Sequence, residues 1–299
     1  MAFLRPCPAP GRKPLKRIAG RRPRDSYDRA ILKKAELRLC GLPAVLARWE
    51  RAPGSIHRLY FDRETGRRVG ALSKAMAAAR KVYRCVESAE LEKVAGTLHH
   101  GGIVAVADAP ESREPSEHEV AGWAKRREPV LVLDRIGNAH NLGALARTAA
   151  FLAVPHLVLC SHPDAARPND AAYRVAEGGF EALKVWQTPD LPGLLETMRA
   201  SGYDVVGAAT RGGVRLLPGG GLPGAGAASA GETPPRALVM GNEEHGLARE
   251  VEGMCSRRVT LAGSDDVESL NVSVAGALLM WELLVGRGAA AAGRPPPAR

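Results

Sequence analysis

The sequence predicts an α/β protein with two folded modules, of which the second is built on a parallel sheet. Three observations support this class. Segments with strand character and segments with helix character alternate along most of the chain, as in α/β proteins. The four residues Val-Leu-Val-Leu between Pro129 and Asp134 are typical of a strand buried on both faces of a parallel sheet. The length of 299 residues exceeds what one small core needs and suits two domains.

The first folded module is expected over residues 36–108, after a disordered basic arm over residues 1–35 that is rich in Lys, Arg, Pro and Gly. Its predicted elements are a helix from the spacing of Leu37, Leu39, Leu42, Val45, Leu46 and Trp49, a strand over Ile56–Phe61, a helix over Val69–Arg80, a strand over Lys81–Val86, a helix over Leu91–Leu98 and a strand over Gly102–Ala107. This alternation predicts a small α/β unit.

The second module is expected over residues 129–286, after a linker over residues 109–128 that contains two prolines and five acidic residues. Its predicted strands are Pro129–Asp134, Leu157–Cys160, Leu183–Trp186, Asp204–Ala209, Ala237–Gly241 and Arg257–Leu261, with helices between most of them. The Gly-, Pro- and Ala-rich segment Gly212–Pro235 predicts a loop insertion. Residues 287–299 are expected to form a disordered tail.

The charge is unevenly distributed along the chain. Residues 1–128 carry 27 Lys and Arg against 15 Asp and Glu, whereas residues 129–286 carry 12 against 17. A basic module joined to a mildly acidic one suggests that one part holds a polyanion while the other does something else. A basic arm without a dedicated partner is the alternative.

Composition argues against several classes of protein. The five cysteines are scattered without a CxxC pair, which disfavours a zinc site and a secreted disulfide framework and favours a reducing cytoplasm. We expect no metal site. No apolar run reaches the roughly 18 residues of a membrane span, so no membrane association is expected. A mitochondrial transit peptide is the minority alternative for the acid-free first 24 residues, because prolines there disfavour an amphipathic helix.

The first candidate motif is Asn141-Leu-Gly143-Ala-Leu-Ala-Arg147-Thr148-Ala149, which follows the strand ending at Asp134. Asn141 suits the N-cap of a helix, and Gly143 allows a close approach to the backbone. Asn141 and Arg147 need not share a helix face. The alternative is an ordinary capped helix with a surface arginine.

The second and third motifs follow predicted strands. Gly241-Asn242-Glu243-Glu244-His245-Gly246 is a polar turn with glycine at both ends, which allows a tight bend near a ligand; the alternative is a plain connection with solvated acids. Ser269-Leu270-Asn271-Val272-Ser273-Val274-Ala275 opens an apolar helix that ends near Leu284. The alternative there is helix capping by Ser269 or Asn271.

In this order, the three motifs resemble the signatures of the SpoU/TrmH family of RNA 2′-O-ribose methyltransferases: N-x-G-x-x-x-R-x-A, G-x-E-x-x-G and S-L-N-V-S-x-A. The resemblance covers residues 129–286. Residues 36–108 also resemble the family's substrate-binding domain, from Gly41-Leu-Pro-Ala-Val45 to His99-His-Gly-Gly-Ile103. The resemblance implies a SPOUT fold, in which the C-terminal part of the parallel sheet domain forms a trefoil knot.

The resemblance also implies S-adenosylmethionine as the cofactor, RNA (tRNA or rRNA) as the substrate and a homodimer formed through the methyltransferase domain. The family's catalytic positions correspond to Asn141, Arg147, Glu243, Ser269 and Asn271. The cofactor-binding positions correspond to Gly241, Asn242, Gly246, Leu261 and Leu270, and the two leucines would contact the adenine.

The role of Arg147 is open between a base and a clamp. Because an arginine guanidinium does not give up a proton in proteins, a clamp on the neighbouring phosphate, oriented by Glu243 and Asn141, is the better expectation. Two other functions compete with an active methyltransferase. One is an RNA-binding relative without catalysis, against which the intact Arg147, Glu243 and Asn271 argue. The other is a dinucleotide-dependent oxidoreductase, which lacks a GxGxxG after the first strand of the sheet.

Overall fold

The computed structural model describes residues 35–218, 222, 234–264 and 266–285, which belong to one compact unit that begins at Ala35. The predicted basic arm apart from Ala35, the predicted tail and most of the predicted loop insertion therefore lie outside the described residues. The described part contains two sheets, one of four strands and one of seven.

The small sheet has the strand order β1-β4-β2-β3. Its strands are β1 (Glu36–Cys40), β2 (Ile56–Phe61), β3 (Val82–Cys85) and β4 (Ile103–Asp108). Strand β4 pairs antiparallel with β1 and with β2, whereas β2 and β3 are parallel. The accompanying helices are α1 (Leu42–Arg51), α2 (Arg63–Gly66), α3 (Gly70–Ala78) and α4 (Ser88–Ala95). The predicted strands and the last two predicted helices of this module are confirmed within a few residues.

The predicted helix over Leu37–Trp49 is wrong in its first part, because residues 36–40 form strand β1. Leu37 and Leu39 are buried, while Glu36 and Arg38, which precede each of them, are exposed. This burial with a period of two belongs to a strand. The chain then turns at Gly41, whose φ of 89° suits glycine, and Pro43 stands in the first turn of α1.

The predicted linker contains a helix, α5 (Glu117–Lys125). Ser116 and Glu119 form a capping box at its N-terminus, and Val120 and Trp123 are buried against the large sheet domain. A capping box satisfies backbone N–H groups that an unstructured linker would expose to water. The acidic residues that suggested a linker therefore include a helix-capping residue.

The large sheet is entirely parallel, with the order β7-β6-β5-β10-β8-β11-β9. Its strands are β5 (Val130–Leu133), β6 (His156–Cys160), β7 (Lys184–Thr188), β8 (Asp204–Ala208), β9 (Val214–Leu216), β10 (Arg236–Met240) and β11 (Arg257–Leu261). All six predicted strands of this module are confirmed. Strand β9 was missed and lies inside the predicted loop Gly212–Pro235.

Helices connect these strands. They are α6 (Ala139–Phe151), α7 (Asp170–Ala176), α8 (Gly179–Ala182), α9 (Leu191–Ala200), α10 (Arg249–Met254) and α11 (Val272–Met280), which continues into a π-helix over Trp281–Val285. From β5 the chain moves outward through β6 to β7, and it then returns to the opposite side of β5. The boundary between β5 and β10 is thus a topological switch point, where open parallel sheets bind ligands beyond the carboxyl ends of their strands.

Candidate active site

The loops that leave β5 and β10 meet at the switch point and are joined by Glu243. Its carboxylate accepts hydrogen bonds from the backbone N–H of Gly137 at 2.9 Å and of Asn138 at 3.3 Å. It also accepts one from Nδ2 of Asn141 at 2.9 Å. Burial alone would raise the pKa of Glu243, but the hydrogen bonds from Asn141 and from backbone N–H groups outweigh it, so the pKa lies below its ordinary value. The carboxylate is therefore a charged anchor for the loop after β5.

Asn141 and Asn271 extend this anchor into one chain of hydrogen bonds. Nδ2 of Asn271 donates to Oδ1 of Asn141 at 3.2 Å, while Nδ2 of Asn141 donates to Glu243. Asn141 lies more than 100 positions in sequence from both Glu243 and Asn271, and the three residues come from three separate motifs. The structure thus brings three of the five predicted catalytic residues into direct contact.

The capping roles differ from the expectation at one of the two helices. Asn138, and not Asn141, is the N-cap of α6, and its side chain accepts from the N–H of His140. Asn141 stands inside the first turn, which leaves its amide free to bridge Glu243 and Asn271. Asn271 does cap α11, because its Oδ1 accepts from the N–H and the hydroxyl of Ser273. Its Nδ2 remains available to Asn141. The same side chain therefore caps α11 and joins the chain of hydrogen bonds.

The turn after β10 is held by Asn242. Its backbone N–H donates to the carbonyl of Gly246 at 2.9 Å, and the N–H of Gly246 donates back at 3.0 Å. Its side chain accepts from the N–H groups of Glu244 and His245 and donates to the carbonyl of Arg135 at 2.8 Å. These bonds fix the turn and tie it to the loop after β5. Asn242 therefore shapes the predicted cofactor loop from within.

The geometry of this turn explains why both of its ends are glycine. A Cβ at Gly241 would lie 2.3 Å from the carbonyl carbon of Gly246, so no other residue fits there. Gly246 has a φ of 68°, a left-handed conformation that glycine adopts without strain. Gly143, by contrast, makes room for a neighbouring helix, because its Cβ would lie 2.4 Å from the carbonyl oxygen of Ala172 in α7.

Arg147 lies apart from the Glu243 cluster. Its guanidinium forms an ion pair with Glu177 at 2.9 Å, and the side chains of the two residues are 55% and 47% exposed. The expectation that Glu243 and Asn141 orient Arg147 is therefore wrong for this structure. Arg147 stands six residues after Asn141 on α6, which places it about 9 Å further along the helix. The first motif thus supplies Asn141 to the hydrogen-bonded chain and Arg147 to a separate ion pair with Glu177.

The remaining predicted residues lie on the segment that joins β11 to α11. Leu261 ends β11 and is partly buried against the core, whereas Ser269 and Leu270 are exposed. Leu270 keeps about half of its surface exposed. An exposed leucine beside the polar chain of Glu243, Asn141 and Asn271 offers an apolar contact to a ligand.

Two residues that connect the site were missed at the sequence level. Asp134, buried at the end of β5, accepts from the N–H of Ala248 at 2.7 Å and contacts Nε of Arg135 at 3.0 Å. It adds to the bonds that Glu243 and Asn242 form between the loops after β5 and β10. An acidic residue that ends an apolar strand was its sequence signal. Glu177, the partner of Arg147, carried no such signal.

Among the described residues, no group of three or more His, Cys, Asp or Glu side chains could hold a metal ion. No helix in the same part of the chain is long and apolar enough to cross a bilayer.

The fold and the site define a two-domain α/β protein whose polar Glu–Asn–Asn chain lies at the switch point of a parallel sheet. The family follows from two matches. Residues 128–281 match the model of the SpoU rRNA methylase family, and residues 38–113 match the RNA 2′-O ribose methyltransferase substrate-binding family. The chain belongs to the SpoU rRNA methylase family.

Two relatives illustrate the similarity. An uncharacterized tRNA/rRNA methyltransferase, YfiF, of Escherichia coli O157:H7 is 32% identical over 251 residues, which cover 83% of this chain and 67% of the relative. The 23S rRNA (guanosine-2′-O-)-methyltransferase RlmB of Ralstonia nicotianae is 31% identical over 245 residues, 82% of this chain and 93% of the relative.

Solved structures share the fold. The AdoMet-bound rRNA methyltransferase from Sinorhizobium meliloti superposes with a TM-score of 0.63 at 19% identity, over 83% of this chain and 86% of that chain. The SpoU methyltransferase AviRb from Streptomyces viridochromogenes, in complex with AdoMet, gives 0.59 at 21% identity, over 83% and 88%. At these identities the likeness shows the fold alone.

Proposed function

We propose that the protein transfers a methyl group from S-adenosylmethionine to a ribose 2′-hydroxyl of tRNA or rRNA. The observation that carries the proposal is the chain of hydrogen bonds from Glu243 through Asn141 to Asn271. It joins all three motifs at the switch point of a parallel sheet, where ligands of such sheets bind. Membership of the SpoU family and the similarity to RlmB support the reaction and the RNA substrate.

The residues present fit the cofactor. The half-exposed Leu270 and the partly buried Leu261 offer apolar contacts to an adenine, and the turn from Gly241 to Gly246 presents backbone groups close by. S-adenosylmethionine supplies an activated methyl group on a sulfonium. AdoMet appears in two solved structures with this fold. Gly241, Asn242 and Gly246 would shape the loop that holds it.

The protein's own residues orient the RNA and stabilise the reacting 2′-oxygen while its proton passes to water. Glu243 is held by three N–H donors, so it serves as an anchor for Asn141 rather than as a free base. The guanidinium of Arg147 has five N–H donors in a planar fork. It would bind the phosphate next to the reacting ribose and stabilise the developing negative charge on the 2′-oxygen. Ser269 and Asn271 would position the ribose.

The small domain is proposed to bind the RNA. The segment from α2 to β3 exposes five arginines: Arg63, Arg67, Arg68, Arg80 and Arg84. Clustered exposed arginines bind phosphates with an affinity that falls steeply with salt. The proposed domain boundaries are residues 36–108 for this module and 129–286 for the methyltransferase domain. A trefoil knot at the C-terminal part of the latter and a cytoplasmic location are further parts of the proposal.

A homodimer through α11 is proposed on an exposed apolar stripe. Val274, Leu278 and Trp281 stand at helical spacing on one side of this helix and are each about half exposed. Isolated exposed side chains are ordinary on protein surfaces, but a stripe at this spacing suits a partner helix. Light scattering at micromolar concentration should give the mass of a dimer, and a monomer would contradict the arrangement.

Incorporation of labelled methyl groups from S-adenosylmethionine into total tRNA and rRNA, followed by mapping of 2′-O-methyl sites, tests the activity. We expect the label on ribose even when a chelator is present, because the proposed reaction uses no metal ion. An unlabelled RNA pool that the protein nevertheless binds tightly would favour the RNA-binding relative without catalysis. Methyl groups found on bases instead of ribose would refute the proposed reaction.

A further inference from the structure

The junction of α7 and α8, residues Glu177, Gly178 and Gly179, has an unusual backbone; we name it the α7–α8 corner. Glu177 ends α7 with φ 45° and ψ 46°, and Gly178 follows with a φ of 90°. Glycine adopts this left-handed region freely, but a glutamate there is strained. A strained side-chain-bearing residue beside two glycines suggests that its side chain has a function.

The corner is wedged between the two sheet domains. A Cβ at Gly178 would lie 2.8 Å from Cβ of Ala47 in α1, and a Cβ at Gly179 would lie 2.9 Å from Cα of Arg147 in α6. The corner therefore touches the small domain on one side and the backbone of Arg147 on the other. Neither glycine can move or be replaced without shifting one of these neighbours.

A buried ion pair fixes the corner from the side of the small domain. Arg48 of α1 contacts Glu181 of α8 at 2.7 Å, and only 3% and 9% of these side chains are exposed. Arg48 also donates to the carbonyl of Asp108 at 2.9 Å. Because buried pairs hold their geometry far better than exposed ones, the residues that lead from Glu177 to Glu181 have a defined position relative to α1.

Glu177 uses this fixed position to contact Arg147. The ion pair at 2.9 Å joins one terminal nitrogen of the guanidinium to the carboxylate. Exposed ion pairs of this kind stabilise a fold very little, so stability does not account for a strained glutamate at this position. Restricting a long, mobile arginine side chain does account for it.

We propose that Glu177 is a positioning residue for the proposed reaction. It holds the guanidinium of Arg147 through one nitrogen and leaves the remaining N–H donors to the RNA phosphate. The α7–α8 corner links this orientation to the docking of the small domain on α1. The inference rests on the proposed function, in which Arg147 contacts RNA.

Glu177→Gly separates positioning from structure, because it removes the carboxylate and relieves the left-handed strain in the same change. Its melting temperature should equal or exceed that of the wild type, by up to about 3 °C. Its affinity for S-adenosylmethionine should be unchanged. Its single-turnover rate at saturating RNA should fall about tenfold, because the arginine is misplaced. Glu177→Gln should recover most of the rate, since its amide oxygen can accept a hydrogen bond from Arg147 in place of the ion pair.

Glu252→Ala is the matched control. It removes a similarly exposed ion pair, with Arg258, outside the proposed site, and should change neither rate nor melting temperature. Arg147→Ala is measured alongside. A Glu177→Gly protein that methylates at the wild-type rate while Arg147→Ala is impaired would overturn the positioning role and leave the proposed function intact. Wild-type activity of Arg147→Ala would instead refute the assignment of Arg147. A lower melting temperature of Glu177→Gly, with a rate that Glu177→Gln does not recover, would assign Glu177 a purely structural role.

Discussion

Glu243→Ala is the sharpest test of how the site is assembled. The substitution removes the acceptor of three hydrogen bonds, from the N–H groups of Gly137 and Asn138 and from Nδ2 of Asn141. It leaves the backbone of the turn after β10 intact, because Asn242 holds that turn by its own bonds. The loop after β5 should therefore lose its anchor while the sheet keeps its structure.

The magnitude follows from the geometry. Hydrogen bonds to a charged acceptor contribute about 1.5–3 kcal/mol each when buried, but Glu243 is exposed to water, and the bond from Asn138 is long at 3.3 Å. About 0.5–1 kcal/mol per bond gives a total loss of about 2 kcal/mol in the free energy of unfolding. That corresponds to a fall of about 4–8 °C in melting temperature for a protein of this size. Methyl transfer should fall about 100-fold, because Asn141 is no longer held.

The anchor should also depend on pH. The pKa of Glu243 lies below its ordinary value of 4.5, so the unfolded chain takes up its proton more readily than the folded one does. The stabilisation is therefore present above about pH 4.5 and is lost as the pH falls through the lower pKa of the folded state. The difference in melting temperature between wild type and Glu243→Gln should shrink on acidification from pH 7 to pH 4.

Thermal unfolding and single-turnover methylation measure both effects. Glu244→Ala is the control, because this neighbouring carboxylate is exposed and its side chain makes no hydrogen bond or ion pair with a described residue. It should match the wild type in both assays. A Glu243→Ala protein with wild-type activity, or a melting difference from Glu243→Gln that grows in acid, would refute the anchoring role.

Three further predictions concern other contacts. Arg147→Ala and Arg147→Lys should each lower methyl transfer about 10²–10³-fold with unchanged affinity for S-adenosylmethionine by calorimetry, because a lysine cannot reproduce the planar fork; a parallel loss of cofactor affinity would place Arg147 in the cofactor site. Gly143→Ala should destabilise the protein by about 2 kcal/mol in denaturant unfolding, because its Cβ would meet the carbonyl of Ala172 at 2.4 Å; unchanged stability would contradict this close packing. Arg48→Met should cost about 3 kcal/mol by leaving Glu181 buried without its partner, and Glu181→Leu added to it should restore most of the loss. A double variant no more stable than the single one would show that the pair is not the source of the loss.

The sequence was sufficient to predict those helices and strands that each carry a pattern of their own. The central strands of the large sheet are continuously apolar, because both faces of a parallel sheet are covered, and all six predicted ones are present. The prediction was wrong at strand β1, because this strand carries no clear pattern of its own. Its five residues run directly into an apolar helix, so their alternation was hidden. The strand exists through its pairing with β4, from Glu36 with Asp108 to Cys40 with Val104.

The sequence by itself determined the α/β class, most of the elements and the three motifs that contain Asn141, Glu243 and Asn271. Those motifs were recognisable because each is a short run of fixed spacing. Only the tertiary structure decided that these three side chains form one hydrogen-bonded chain, and that Arg147 pairs with Glu177 instead of joining them. The physical reason is that such partners are set by the packing of helices and by the left-handed corner at Glu177, neither of which leaves a periodic trace along the chain.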